Sequence, residues 1–476
     1  MNETQTNTET KVIAAHKDEK QLFSTMQLLN FCLGFFGLQF AWQMRIILSG
    51  PVTESLGASP FIFGLIWLAG PVTGMVVQPI IGALSDSTHS RFGKRTPYLL
   101  AGAIFASLAL WAFPNSAAIA SKITGLMHIP TPALGGLLVA AIMIWVIDAC
   151  INAAQGPYRA LIPDLMPQKQ HSLANSYLSL AIGAGSVIAA GVAPFLKWAF
   201  NFQMSIEAQF IMGALAFSLA MVWTCLTINE GKSNKDNESE TTQEKKAEEP
   251  QATFVENVKT FFSSSPEVAK ICAVQLFTWI GVMSMMIFYT QYAIHTLWNV
   301  PDLTSATEAV KKSFEAATLQ ATNFSSISFA VFNFICLIVS IPIGILSSKF
   351  GNKKVHIFAL VSMAIAFVGM GLTKNTNVVL MLMGLAGIGW ASICSLPFAM
   401  LTQFTPKGTE GSVMGIFNIF IAGPQVLVCT LLAWFISKCT FTMSSGVNYH
   451  WEYAFIIGAV TLIAASFMTM TIKEKI

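Results

Sequence analysis

The chain has 476 residues, of which 54% are hydrophobic and only 11% charged, against roughly a quarter charged in soluble domains. With a mean hydropathy of +0.60 there is too little polar side chain to cover a water-soluble fold, so cytosolic enzymes, secreted disulfide scaffolds and disordered proteins are excluded and a polytopic membrane protein is expected. A net charge of +3 is too small to argue for nucleic acid, and the eight cysteines include no Cys-x-x-Cys pair, which supports neither a zinc site nor a disulfide framework.

Residues 1–22 form a polar tail without an apolar stretch and cleavage site, so the first membrane helix is expected to direct insertion itself. A hydrocarbon core about 30 Å thick needs roughly 20 apolar residues of helix. Twelve stretches qualify, near 23–48, 61–84, 96–114, 134–158, 172–195, 208–229, 268–295, 321–347, 355–373, 378–403, 412–436 and 452–472. All should be helices, because an open strand edge cannot be satisfied in lipid. Between the sixth and seventh, GKSNKDNESETTQEKKAEEP (231–250) is half charged and lacks any large apolar residue, the composition of a solvated linker. It divides the chain into bundles at 23–229 and 266–472, joined by 230–265, with a short tail at 473–476. Within the linker region, FVENVKTFF (254–262) places its apolar residues on one helical face. It reads either as an interfacial helix or as an extension of the seventh span.

Lys and Arg cluster after the second span (Arg91, Lys94, Arg95) and after the eighth (Lys349, Lys353, Lys354). The positive-inside rule then puts both termini in the cytoplasm. The two loops also resemble each other: GALSDSTHSRFGKR (82–95) is echoed by GILSSKFGNKK (344–354), and PYRALIPDLMP (157–167) by PFAMLTQFTP (397–406). Basic loops can converge under the charge rule alone, but that rule does not require matching Gly and Pro. A duplicated six-helix unit is the better reading.

Asp148 is the only acidic residue deep inside any expected span, about 21 Å beyond Leu134 at 1.5 Å per residue and so near the midplane. A carboxylate there is costly to keep charged and marks a functional site by default. Asn152 and Gln155 follow on the same helix face, giving an acid and two amides, a stripe suited to sugar hydroxyls or to interhelical hydrogen bonds. On the first span Gln39, Trp42 and Gln43 share a face, and an indole flanked by amides can hold a pyranose ring. Trp279, Asn333, Trp390, Asn418 and Gln425 are the second-half candidates, the two indoles lining a pocket or facing lipid. Arg45, within the first span, either snorkels, pairs with Asp148, reaches an outer gate or attracts an anionic substrate. Asp86, Arg91, Arg95, Arg159 and Asp164 lie at the cytoplasmic ends, where paired charges can hold the two halves together in an outward-open state; Arg159 reads as gate or anchor. In the second copy Ser348 replaces the acid, so that latch should be weaker. No nucleotide loop, metal pattern or hydrolytic constellation occurs among these residues, so neither an enzyme nor a metal site is expected.

Duplicated six-helix halves with a basic Gly-x-x-x-Asp loop are the pattern of the major facilitator superfamily. Within it, FGLQFAWQMRIILSGPVTESLGAS, the loop SDSTHSRFGKRTP, VIDACINAAQGPYRALIPDL, GIGWASICSLPFAML and GIFNIFIAGPQ resemble the sucrose–proton symporters of plants and their bacterial relatives in the glycoside–pentoside–hexuronide:cation symporter group. The resemblance implies an all-α membrane protein of twelve transmembrane helices in two pseudo-symmetric six-helix bundles. It implies proton coupling and sugar binding at Asp148, and family positions at Asn333 and Asn418. It departs at Arg45, where the plant proteins have an uncharged residue. The expectation is a monomeric sugar–proton symporter of a bacterial-type inner membrane, with the bilayer and a small sugar such as sucrose or maltose as partners. No cofactor is expected beyond the coupling ion, proton or sodium. The rivals are a carrier of anionic or non-sugar solutes using Arg45 as counter-charge, and a sugar receptor that does not transport.

Overall fold

A computed structural model describes residues 22–127, 132–228, 230, 266–304, 306–404, 410–443 and 446–474. The N-terminal tail, the 231–250 linker and the 254–262 segment lie outside the described residues. Among those described, eleven helices are long and apolar enough to cross a membrane, and a twelfth span is a helix pair bent by 84°. The apolar composition leaves backbone amides no partner but their own helix, which is why almost everything here is helical.

In the first half, α1 runs Thr25–Ser55, α2 Pro60–Trp67 and α3 Ala69–Ser87, the last two making one broken span. α4 is Thr96–Ala112 and turns sharply into α5, Ser116–Met127. α6 (Pro132–Leu165), α7 (Gln168–Phe200) and α8 (Ile206–Ile228) complete the half. In the second half, α9 is Pro266–Tyr292, continued by a π-helical turn at Ala293–Leu297, and α10 is Glu308–Phe350. Then follow α11 (Asn352–Leu372), α12 (Thr376–Ile393), the short α13 (Leu396–Thr402), α14 (Glu410–Leu427), a second π turn (Val428–Leu432) and α15 (Ala433–Lys438). A hairpin of β1 (Thr440–Met443) and β2 (Gly446–Tyr449) precedes α16 (Tyr453–Met470).

The first span departs from its expected end at residue 48. Pro51 lies inside α1, and the helix continues to Ser55. Proline removes one backbone donor there, the one that would meet the carbonyl of Ile47, and the helix continues past it with the Thr53 hydroxyl donating to the carbonyl of Ser49 at 2.8 Å. Glu54 is thereby drawn into the first helix and buried.

The packing repeats between halves. The first span packs on the sixth and fifth, the third on the fourth and sixth, and the second on the fourth. The same pattern recurs as seventh on twelfth and eleventh, ninth on tenth and twelfth, and eighth on tenth. Both copies also close their basic loop in one way. Glu230, just past α8, accepts hydrogen bonds from the backbone N–H groups of Lys94, Arg95 and Thr96, each at 2.9 Å. Glu474, just past α16, accepts from Asn352 at 2.8 Å and Lys353 at 3.2 Å. Each carboxylate thus caps the N-terminus of the helix that follows the second or eighth span, where unpaired amides favour negative charge. Gly93 (φ +104°) and Gly351 (φ +89°) make the turn; a side chain at Gly93 would also collide with the Glu230 carboxylate. This shared device is independent support for duplication.

Between the halves, the fifth span packs on the eighth, the second on the eleventh and the first on the seventh. The end opposite the basic loops is closed. There α2 lies so near the second π turn and α15 that a methyl on Gly64 would stand 2.2 Å from the carbonyl oxygen of Cys429 and 2.4 Å from the Ala433 methyl. Asn323 donates to Gln203 at 3.2 Å, and Lys311 to the carbonyl of Ser55 at 3.3 Å. Outward-facing Phe105, Leu108, Leu219, Phe358, Ile365 and Leu372 are exposed around the bundle, an apolar belt that a bilayer, not water, accommodates.

Candidate functional site

At mid-depth α1, α3 and α6 meet around one ion pair. Arg45 Nη2 of α1 is 2.5 Å from Asp148 Oδ2 of α6, with the two side chains 1% and 0% exposed. Arg45 therefore does not snorkel; of the roles open to it in the sequence, the structure shows pairing with Asp148. Two indoles cover the guanidinium. The Trp67 ring centroid is 3.9 Å from Arg45 Cζ and that of Trp42 is 5.4 Å away, contacts worth up to about 2 kcal/mol when desolvated. Trp67 Nε1 donates to Ser49 Oγ at 3.2 Å, which fixes the ring.

The pair leaves valences unused. Asp148 Oδ1, Arg45 Nε and Gln43 Nε2 are buried with no hydrogen-bond partner among the described residues. Buried polar groups are usually paired; on the ion pair itself Asp148 Oδ1 is an open acceptor and Arg45 Nε an open donor, a combination complementary to hydroxyl groups, which offer both, while Gln43, two residues from Arg45, lies on another side of α1. Gly70 of α3 faces this space: a methyl on it would stand 3.6 Å from Asp148 Oδ2 and 3.9 Å from the Trp42 ring.

The amide stripe divides. Asn152 is consumed in structure, accepting from Gln78 Nε2 at 2.7 Å and donating to Thr73 Oγ1 at 3.0 Å and to the carbonyl of Asp148 at 2.9 Å. Those bonds tie α3 to α6, so as placed Asn152 positions the helix of Asp148. Gln155, farther along the same helix, is half-buried. Gln43 meets its second-half counterpart: Asn333 Nδ2 donates to Gln43 Oε1 at 3.3 Å, joining the halves at mid-depth. Gln39 is half-buried beside α7.

The remaining second-half candidates are not gathered around the ion pair. Trp279 and Trp390 pack edge to face at 5.8 Å, and Trp279 Nε1 donates to Gln275 at 3.1 Å. Gln425 donates to its own helix at the carbonyl of Ile421, 3.0 Å away, and Asn418 is exposed.

At the basic end the charged candidates are paired within the first half. Arg95, 5% exposed, contacts Asp86, lies 2.9 Å from Asp164 and donates to Ser85 at 2.6 Å, while Lys94 meets Asp164 at 3.1 Å. Burial opposes the charge on Arg95, but hydrogen bonds and charges from Asp164 and Asp86 outweigh it and hold its pKa above the ordinary value. All these groups belong to the first half. In this arrangement, closed at the other end, they staple the second span, its loop and the fourth span to one another; the latch expected between the halves belongs to the outward-open state. Arg91 stays exposed over Phe92, and Arg159 is exposed with Cζ 5.2 Å from the Phe35 ring.

A further buried acid lies beyond the expected first span: Glu54, next to last in α1, is 2.9 Å from His295 Nε2 of the second half. Sequence reading missed it by ending the span before Pro51. Trp67 and Thr73 were missed as well; nothing in their local sequence distinguishes them from packing residues.

A sequence model of the Major Facilitator Superfamily matches residues 31–421 and 303–475. Sucrose transport protein SUT2 of Oryza sativa subsp. indica is 27% identical over 426 residues, covering 82% of this chain and 83% of that protein. SUT5 of the same subspecies is 24% identical over 479 residues, 92% and 87% of the two chains. Among solved structures, the nucleoside transporter NupG aligns with a TM-score of 0.64 at 13% identity, over 95% of this chain and all of that one. A D-xylose-proton symporter aligns at 0.61 and 15%, over 94% and 98%. The two structural matches bear on the fold alone.

Proposed function

Because the chain belongs to the Major Facilitator Superfamily, we propose that it is a secondary carrier: a proton–sugar symporter in which the Arg45–Asp148 pair couples the two solutes. The observation that carries this reading is the pair itself, buried at mid-depth with Asp148 Oδ1, Arg45 Nε and Gln43 Nε2 left unpartnered. While Asp148 is ionised it occupies Arg45. Protonation neutralises the carboxyl, weakens the pair and frees guanidinium donors for sugar hydroxyls, with Trp42 as the apolar face for the ring. Sugar binding and proton binding then favour each other, and the linkage is reciprocal. Similarity to sucrose transport proteins over most of the chain supports a sugar, with a disaccharide such as sucrose or maltose as the first choice.

In this reading the basic loops face the cytoplasm of an inner-membrane protein with both termini inside. The closed end is then the outer one, and the halves rock about the pair in alternating access. The protein works as a monomer and carries no cofactor; the proton is the coupling ion, and sodium is its competitor in the test. An anionic solute is disfavoured because Asp148 already neutralises Arg45.

The test is uptake of radiolabelled sucrose, maltose, trehalose and monosaccharides into energised vesicles. Accumulation of a neutral sugar that collapses with a protonophore, with or without sodium, supports symport. Binding without accumulation indicates a receptor, and accumulation of anions alone indicates the counter-charge reading.

A further inference from the structure

The closed end contains a group of ionisable residues that the coupling scheme does not use. Glu54, on α1 of the first half, sits against His295, on the π turn after α9 of the second; they are 8% and 2% exposed. His295 Nε2 is 2.9 Å from Glu54 Oε1 and 3.0 Å from Oε2. On the other side of the ring, Nδ1 is 2.8 Å from the carbonyl oxygen of Val300. A carbonyl only accepts, so Nδ1 carries a proton. A carboxylate also only accepts, so the contact between Nε2 and Glu54 needs a further proton, on the imidazole or on the acid. Gln291 Nε2 donates to Glu54 Oε2 at 2.7 Å, which favours the ionised acid and hence an imidazolium. The assembled contact therefore holds one proton more than a neutral histidine and an ionised glutamate apart.

The surroundings fit this count. The Trp451 ring stacks on His295 with centroids 5.5 Å apart, covering the imidazole. From the loop after the π turn, Asp302 faces the cluster and accepts from Tyr449 of β2 at 3.2 Å. Burial, and then Asp302, push the Tyr449 phenol up to about 12, so it stays a neutral donor. The cation from α10, Lys311, is held at the carbonyl of Ser55. Acid, not base, surrounds the histidine.

We propose that Glu54 and His295 form a second proton-binding site, distinct from Asp148, that closes the outer end and must release its proton for that end to open. Opening separates the two halves and so separates this pair. Free histidine and glutamate titrate near 6.5 and 4.3, so above about pH 6.5 the separated groups keep no extra proton. Each opening then discharges one proton to the outside, and each closing takes one back. That proton is not carried across. It makes the outer gate sensitive to external pH, the closed form gaining about tenfold over the open form per unit of acidification above pH 6.5. Calling this end the outer one rests on the orientation proposed above; the proton count does not.

The test reads conformation, not transport, so it stands apart from the sugar assignment. Lys122 and Lys374, exposed at this end of the first and second halves, are changed to cysteine for spin labels, with native cysteines replaced by alanine. Asp148→Asn removes the other titrating acid. Distances between the labels in lipid nanodiscs are measured from pH 6 to 8.5. Above pH 6.5 the proposal expects the short-distance population to grow on acidification by up to about tenfold per pH unit relative to the long one, and the slope to flatten below pH 6.5. His295→Gln and, separately, Glu54→Gln should abolish that slope. A flat profile in the parent overturns the proposal, and so does an undiminished slope in both variants. If one variant fails to fold, the other decides.

Discussion

Arg45 and Asp148 lie 103 positions apart in sequence and meet at 2.5 Å with neither side chain exposed to solvent. A buried pair of this kind is weak evidence for stability, since desolvation of both ions offsets much of their attraction. In the proposed symport its value is as a switch, because one proton changes the pair from neutral to singly charged. The tilt of Trp67 and Trp42 toward the guanidinium supplies what the arginine retains when Asp148 is neutralised.

Asp148→Asn keeps the size of the side chain and removes the titration. Uphill accumulation of sugar should disappear, while counterflow exchange down a gradient survives. Wild-type uptake should fall as pH rises, because Asp148 must be protonated to release Arg45, and the variant should lose this dependence. Uptake and counterflow in proteoliposomes across pH 5 to 8 check it; unchanged uphill transport by the variant would make Asp148 a structural residue.

Arg45→Ala strands a buried carboxylate, and Asp148→Ala strands a buried guanidinium. Each should lower stability by about 3–5 kcal/mol, whereas the double variant should cost well under their sum. Thermal unfolding in detergent, read as a double-mutant cycle, measures the coupling. Additive losses would mean the two charges do not interact in solution.

Asp164→Asn and Glu230→Gln probe the basic end. Because their partners lie within the first half, both should reduce thermal stability, Glu230→Gln by about 1 kcal/mol as a lost cap. Neither should shift the balance between inward and outward openings. Label distances across the basic end, compared with the parent, test this; a marked shift would restore a latch between the halves.

Membrane orientation is tested with single cysteines. Ser233→Cys in the linker should react with an impermeant maleimide only from the cytoplasmic side, and Lys374→Cys only from the outside. The reverse pattern would invert the assignment of both gates.

Much of the architecture is local information. Hydropathy integrates over about 20 residues, so the spans and the six-plus-six duplication could be read directly, with ends off by several residues. The loop echo at 82–95 and 344–354 foretold a shared structure, which proved to be the capping of each loop by Glu230 and Glu474. The first span was read too short: hydropathy ended it near residue 48, while α1 runs on through Pro51 to Ser55 and takes in Glu54.

Partnership was decided by tertiary structure. Which face of a helix meets which neighbour depends on its rotation and tilt, and packing against other helices sets both. Asn152 looked as available as Gln43 in the sequence, yet α3 brings Thr73 and Gln78 to one and leaves a donor of the other unpaired. Arg45 had four roles open to it until α1 was turned toward α6. Asp86, Arg95 and Asp164 were read only as charges at the cytoplasmic ends; that they meet one another depends on packing that no window of sequence contains. Sequence determined which groups lie in the membrane and at what depth, because transfer from water is a property of each segment. Only the packed bundle determined which of those groups touch, because a hydrogen bond or ion pair requires two segments to arrive at one place.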